Sequence, residues 1–265
     1  MKNNPIGIFD SGIGGLTVVR EVLKQLPDES IIYLGDTARV PYGTRGNKII
    51  TKFALQLVSF LIKQQVKVLV VACNTISAIC LEEIKKISPV PVIGVITPAA
   101  TVAAQSSTTK KIGVIGTNAT ISSKVYEKEI KLINPQLSVL TQACPLFVPL
   151  AEEGLTDHEA TKLIAKEYLK KLSDSGIDTL ILGCTHYPVL RDIIKESINP
   201  KIQLIDSASP TAKELKKILA EKSLESDNKK GKYKFLVTDA PNRVKTVAEI
   251  LFKGPLPGKI KLVTL

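Results

Sequence analysis

Apolar and polar positions along this chain fall into two kinds of block. Short, almost wholly apolar runs end in small or polar residues: NPIGIFD (4–10), SIIYLGD (30–36), the run 66–72 before Cys73, and VPVIGVI (90–96). Between them lie longer stretches whose apolar residues recur at three- and four-residue spacing. Leu16, Val19, Leu23 and Leu26 predict a helix over 15–26. Ile49, Phe53, Leu57, Phe60 and Leu61 predict one over 46–64, and a third is expected from about Thr75 to Ile87. Runs that are apolar throughout suit strands buried on both faces. Helical crossovers between them imply a parallel sheet covered on both sides, an α/β fold.

The pattern then restarts. KIGVIGT (111–117) echoes PIGIFDS (5–11), and LSVLTQACPLFVPL (137–150) lies where 31–44 did. TLILGC (179–184) matches VLVVAC (68–73), and IQLIDSASP (202–210) matches VIGVITP (92–98). Helices are predicted over 119–133 and 157–173, the second opened by the capping box Thr156-x-x-Glu159. Four corresponding segments in one order read as two similar parallel-sheet α/β halves, related by duplication and hence by a pseudo-two-fold axis. The tail adds a helix near 210–222, a hydrophilic linker (223–232), a strand over 233–239, a helix over 241–252 and a last strand over 259–265. It has no counterpart in the second half and is expected to pack back on the first. The expected division is a discontinuous domain of 1–97 with 208–265 and a second domain of 98–207, with a cleft between them.

Composition narrows the function classes. The chain has 265 residues, enough for a sizeable core. It has no apolar run long enough to cross a bilayer. The opening MKNNP leads straight into a strand without a signal-peptide core, so a cytoplasmic location is expected. The net charge of +11 is spread as scattered lysine pairs. That pattern argues against nucleic-acid binding, and its field would help attract a small dianion. The four cysteines (73, 80, 144, 184) have neither CxxC nor zinc spacing, so free thiols and no metal are expected. DSGIGG resembles a phosphate-binding turn only loosely, and no lysine setting suggests a Schiff base.

Candidate chemistry gathers at strand ends, where ligands bind in open α/β sheets. Cys73 is followed by Asn74-Thr75, and Cys184 by Thr185-His186. Each thiol lies between a strand and a helix, where free N–H groups favour an anion and can move a thiol toward neutrality. Two halves facing each other would place one thiol on each side of a substrate, the geometry of a two-base proton transfer. Asp10 and His186 are candidate partners. Asp36 suits turn capping, His158 a structural place in a helix start, and Cys80 a helical core position; Cys144 is open.

FDSGIGGLTV (9–18), GDTARVPYG (35–43), VACNT (71–75), CPLFVPLAEEG (144–154) and GCTHYP (183–188) together resemble the motif set of bacterial glutamate racemases, within the aspartate/glutamate racemase family. The likeness covers nearly the whole chain. It implies cofactor-independent interconversion of L- and D-glutamate, with D-glutamate serving peptidoglycan synthesis. By match of motifs, Cys73 would act on the D-enantiomer and Cys184 on the L-enantiomer, assisted by Asp10 and by His186 respectively. Glu152 matches a further acid near the second thiol, with Glu153 adjoining it. Substrate binding would fall to Asp10, Ser11, Pro41, Tyr42, Gly43, Cys73, Asn74, Thr75, Thr117, Cys184, Thr185 and His186, with Thr97 as an outlying candidate. Asp10 is expected to face the substrate ammonium. The resemblance also implies a homodimer. The competing readings are an aspartate racemase or related isomerase on the same scaffold, a non-catalytic two-lobed amino-acid binding protein, and a dithiol redox protein.

Overall fold

The structure is a computed structural model that describes residues 2–252 and 254–265. In the first half the apolar runs become β1 (Ile6–Asp10), β2 (Ile31–Gly35), β3 (Val68–Val71) and β4 (Val92–Gly94). The periodic stretches become α1 (Leu16–Gln25), α2 (Asn47–Lys63) and α3 (Asn74–Ile87). The run 90–96 does not remain a strand to its end. It stops at Gly94, and Ile96 opens α4 (Ile96–Ser106), a helix the spacing did not announce. Its sequence, ITPAATVAAQS, is small and apolar on nearly every side, so no stripe stands out.

The second half contains β5 (Lys111–Gly116), α5 (Asn118–Ser122), α6 (Val125–Ile133), β6 (Ser138–Ala143), α7 (Phe147–Glu152) and α8 (Glu159–Ser173). It continues with β7 (Thr179–Gly183), a 3-10 turn (Tyr187–Leu190), α9 (Arg191–Glu196) and β8 (Gln203–Asp206). The single helix expected over 119–133 is two. Ser123 Oγ donates to Thr120 O at 2.6 Å and accepts from Val125 N at 3.3 Å, and Lys124 turns the chain at φ 55°. Local serine bonding has displaced the helical ladder. The capping box is also replaced. His158 is the N-cap of α8, its Nδ1 accepting from Ala160 N at 3.2 Å, which accounts for that histidine structurally.

Both sheets are parallel, in the orders β10-β9-β2-β1-β3-β4 and β6-β5-β7-β8. The order 2-1-3-4 thus recurs as 6-5-7-8, which is the duplication expressed as topology. The chain returns from β8 through α10 (Ala208–Glu221), and the tail adds β9 (Tyr233–Val237), α11 (Pro241–Phe252) and β10 (Ile260–Leu262) beside β2.

The period-2 alternation of the strands sorts the core into layers. Ile6, Ile8, Val68 and Val70 share one apolar cluster with Ile112, Val114 and Ile181 of the second sheet and with α1, α4 and α10. Phe9, Leu34, Leu69 and Val71 face α2 and α3 instead. Ile115, Leu180 and Leu182 form the outer cluster of the second half with α8 and α9. The two sheets are therefore packed through a common middle layer, which fixes their strand ends relative to each other.

Candidate active site

The strand ends of the two halves enclose a cavity of about 360 Å³. The first half supplies Ser11, Pro41, Tyr42, Gly43, Cys73, Asn74 and Thr75; the second supplies Thr117, Glu152, Cys184, Thr185 and His186. Every residue expected to bind substrate reaches this wall except two. Asp10 lies one layer behind it. Thr97 is on α4, away from the cavity, donating to Glu129 Oε2 at 2.9 Å.

Cys73 is the N-cap of α3, two residues after the end of β3. Its sulfur is 3.3 Å from Ser11 Oγ, and Ser11 Oγ is 3.3 Å from Asp10 Oδ1. Burial, and then the charge of Asp10, push the Cys73 thiol well above its ordinary pKa; the Ser11 hydroxyl and the N–H groups of Ile76 and Ser11 only partly offset this. This corrects the expectation that the strand–helix junction moves the thiol toward neutrality. For Cys73 the loss of water and a nearby carboxylate outweigh the N–H groups, and the resting form is the thiol.

Asp10 does not face the cavity as expected. Its Oδ1 accepts from Ser11 N at 2.7 Å, and its Oδ2 accepts from Gly15 N and from Thr185 Oγ1, the latter at 3.3 Å. One carboxylate thus touches the serine beside the first thiol and the threonine beside the second. The DSGIGG loop explains how this is possible. None of Gly12, Gly14 and Gly15 adopts a positive φ. Their smallness serves close approach: a Cβ on Gly14 would stand 2.6 Å from the His186 ring, and one on Gly15 would stand 2.7 Å from Asp10 Cβ.

Around Cys184 the partners differ. His186 Nδ1 is 3.8 Å from the sulfur, and His186 Nε2 is 3.1 Å from Glu152 Oε1, on the last residue of α7. Of the adjoining pair of acids, Glu152 is the one at the imidazole and in the cavity wall. Burial alone would depress the imidazole, but its hydrogen bonds to Cys184 and Glu152 prevail and push its pKa up to about 10. His186 is therefore an imidazolium at neutral pH, between a sulfur and a carboxylate. Its protonation stabilises the fold fully below the unfolded value of about 6.5, and this contribution is lost as pH rises toward about 10. The nitrogen NMR signals of this ring are expected to stay in the imidazolium position up to about pH 9; a titration centred near the ordinary histidine value would contradict the arrangement.

Several residues that brace the wall from behind, Thr120, Tyr126 and Ser207, are not among the sequence candidates. Thr75 Oγ1 is 3.0 Å from Thr117 Oγ1, which is 3.0 Å from Thr120 Oγ1, a hydroxyl cluster across the two halves. Gly43 allows the approach of Thr117, whose Cβ would be 2.7 Å from an added methyl group. Asn74 is held by Tyr126 and Ser207. Asp36, fully buried, accepts from Tyr42 OH, from Arg39 Nε at 2.6 Å and from Thr238 Oγ1 at 2.9 Å, and so braces the loop that carries Pro41, Tyr42 and Gly43. The Val40–Pro41 peptide in that loop is cis. Cys80 and Cys144 lie outside the cavity wall. Burial pushes the Cys80 thiol up to about 12 and raises that of Cys144 as well. Tyr187 OH, donating to Cys144 O at 2.8 Å, pins the turn after Cys184.

The sequence pattern of the Asp/Glu/Hydantoin racemase family matches residues 6–215. A glutamate racemase of Geobacter metallireducens is 51% identical over 261 residues, covering 98% of this chain and 96% of that one. Among solved structures, a glutamate racemase isoform of Bacillus anthracis superposes with a TM-score of 0.96 at 40% identity, over 100% of this chain and 99% of that one. A glutamate racemase of Francisella tularensis in complex with D-glutamate superposes with a TM-score of 0.94 at 42% identity, over 100% and 98% of the two chains.

Proposed function

The chain belongs to the Asp/Glu/Hydantoin racemase family and is an amino-acid racemase, and from that premise we propose that it interconverts L- and D-glutamate by a two-thiol acid/base mechanism without a cofactor. In this reading it is a cytoplasmic homodimer that supplies D-glutamate for peptidoglycan synthesis. Its two lobes, 1–97 with 208–265 and 98–207, hold the substrate between them. The full-length similarity to glutamate racemases supports the substrate, as does the D-glutamate bound to the Francisella relative.

The observation that carries the mechanism is one cavity lined by a buried thiol from the matching strand end of each half, each with different helpers. L-Glutamate would lose its α-hydrogen to the Cys184 thiolate, steadied by the His186 imidazolium and Glu152. The C–H electron pair stays on the α-carbon and spreads into the α-carboxylate. The Cys73 thiol then delivers its proton to the opposite face, leaving a Cys73 thiolate and a Cys184 thiol, the form that acts on D-glutamate. Proton exchange with solvent resets the pair. The raised pKa of Cys73 suits it to hold the proton that is delivered to the carbanion.

A thiolate is far too weak a base to generate this carbanion unaided. The cavity must stabilise the developing charge with donors already in place, for which Ser11, Asn74, Thr75 and Thr185 are suited, together with the backbone around Gly43. Asp10 is a positioning group in this scheme, holding Ser11 against Cys73 and Thr185 beside Cys184.

Circular dichroism with pure L- or D-glutamate and no added cofactor tests the reading. Both signals are expected to decay to zero, with aspartate turned over at least about a hundredfold more slowly because its carboxylates are one methylene closer. Equal turnover of aspartate would overturn the substrate assignment.

A further inference from the structure

Tyr126, in the first turn of α6, belongs to the second half but contacts the first. Its side chain is buried, and its hydroxyl donates to Asn74 Oδ1 at 2.6 Å. Asn74 directly follows Cys73 and forms part of the cavity wall. The Asn74 amide nitrogen is 3.4 Å from Ser207 Oγ, which engages one of its two N–H groups. The edge of the Tyr126 ring packs over Gly183, where an added Cβ would be 3.1 Å from Tyr126 Cε2; Gly183 immediately precedes Cys184.

We propose that Tyr126 is a positioning residue for the reaction: its hydroxyl fixes the Asn74 amide with the oxygen turned away from the cavity and one N–H left to donate to a substrate carboxylate. The direction of the bond carries this. Asn74 Oδ1 is the acceptor of the phenol proton among the described residues. Rotating the amide by half a turn would bring an N–H against the phenol oxygen and strand the phenol proton in a buried site, which is costly. It would also present the amide oxygen to a carboxylate. Burial, and then the charge of Cys184, raise the Tyr126 pKa, so the phenol keeps its proton throughout turnover. Because the ring rests on the backbone beside one thiol and its hydroxyl holds the residue beside the other, Tyr126 ties the donor geometry to the relative placement of the two halves.

The inference rests on the substrate role proposed above for Asn74, and a double-mutant cycle separates the two. Racemisation of L- and D-glutamate is measured for Tyr126→Phe, Asn74→Ala and the double variant. Asn74→Ala is expected to lower kcat/KM. Tyr126→Phe, which keeps the ring, is expected to lower it about three- to tenfold. The double variant is expected to be no worse than Asn74→Ala, because the tyrosine acts through the asparagine. Additive losses, or an unimpaired Tyr126→Phe beside an impaired Asn74→Ala, would overturn the positioning role alone. Full activity in Asn74→Ala would overturn the substrate role of Asn74, and the positioning role with it.

Discussion

Alanine at either Cys73 or Cys184 is expected to cut racemisation of glutamate at least about a thousandfold in both directions, with the fold intact. Each thiol serves as the acid in one direction and the base in the other, so neither loss can be confined to one enantiomer. Neither sulfur carries much of the structure. The Cys73 sulfur meets Ser11 Oγ at 3.3 Å, and Cys184 contacts the His186 ring at the long distance of 3.8 Å. Kinetics from each enantiomer and a melting curve for each variant check this. Near-normal turnover in either variant with an unchanged melting curve would remove that cysteine from the chemistry. The helpers should not be interchangeable, since Ser11 and Asp10 serve one thiol and His186 and Glu152 the other.

Lys67→Ala is expected to destabilise the protein by about 3–5 kcal/mol, the usual cost of leaving a buried charge without its partner. Lys67 and Glu29 form an ion pair whose side chains are 1% and 4% exposed, beneath the amino ends of the first sheet. Lys67 Nζ also donates to Lys2 O at 2.6 Å and Leu224 O at 2.7 Å, and Glu29 Oε1 accepts from Ser226 N at 2.8 Å. The pair therefore joins the chain start, the first sheet and the linker that leads to β9. Removing the lysine strands the carboxylate and releases two carbonyls. Removing both charges, as Glu29→Met with Lys67→Met, should recover part of the loss, because the unpaired charge goes while the carbonyls stay bare. Denaturant unfolding reads both variants. A single variant within about 1 kcal/mol of the parent, the range of an exposed pair, would contradict this role.

What could be read from the sequence was set by local rules. The buried strands, the repeated segments and the two thiols at matching strand ends all follow from period and position, and the recurring strand order expresses the repeat. Features that depend on distant packing were not legible. Helix α4 is hidden by its small apolar residues, and Ser123 breaks a helix that periodicity joins. The glycines at 14 and 15 look like a turn motif, yet they are needed because Thr185, His186 and Asp10 come close from elsewhere in the chain. Asp10 was expected to face the substrate, but Gly15 and Thr185 claim one of its oxygens and Ser11 the other. Tyr126 and Ser207 reach Asn74 through contacts across the two halves. The direction of the Cys73 shift depends on burial and on a carboxylate that no local motif reports.

In the two-thiol mechanism the α-proton is exchanged between the substrate and two protein thiols. Racemisation of L-glutamate in D₂O, followed by mass spectrometry and proton NMR of the separated enantiomers at early times, reads that exchange. D-Glutamate is expected to form first with deuterium at the α-carbon, while the remaining L-glutamate still carries protium. D-Glutamate that retained the original hydrogen would rule out exchange through the two thiols.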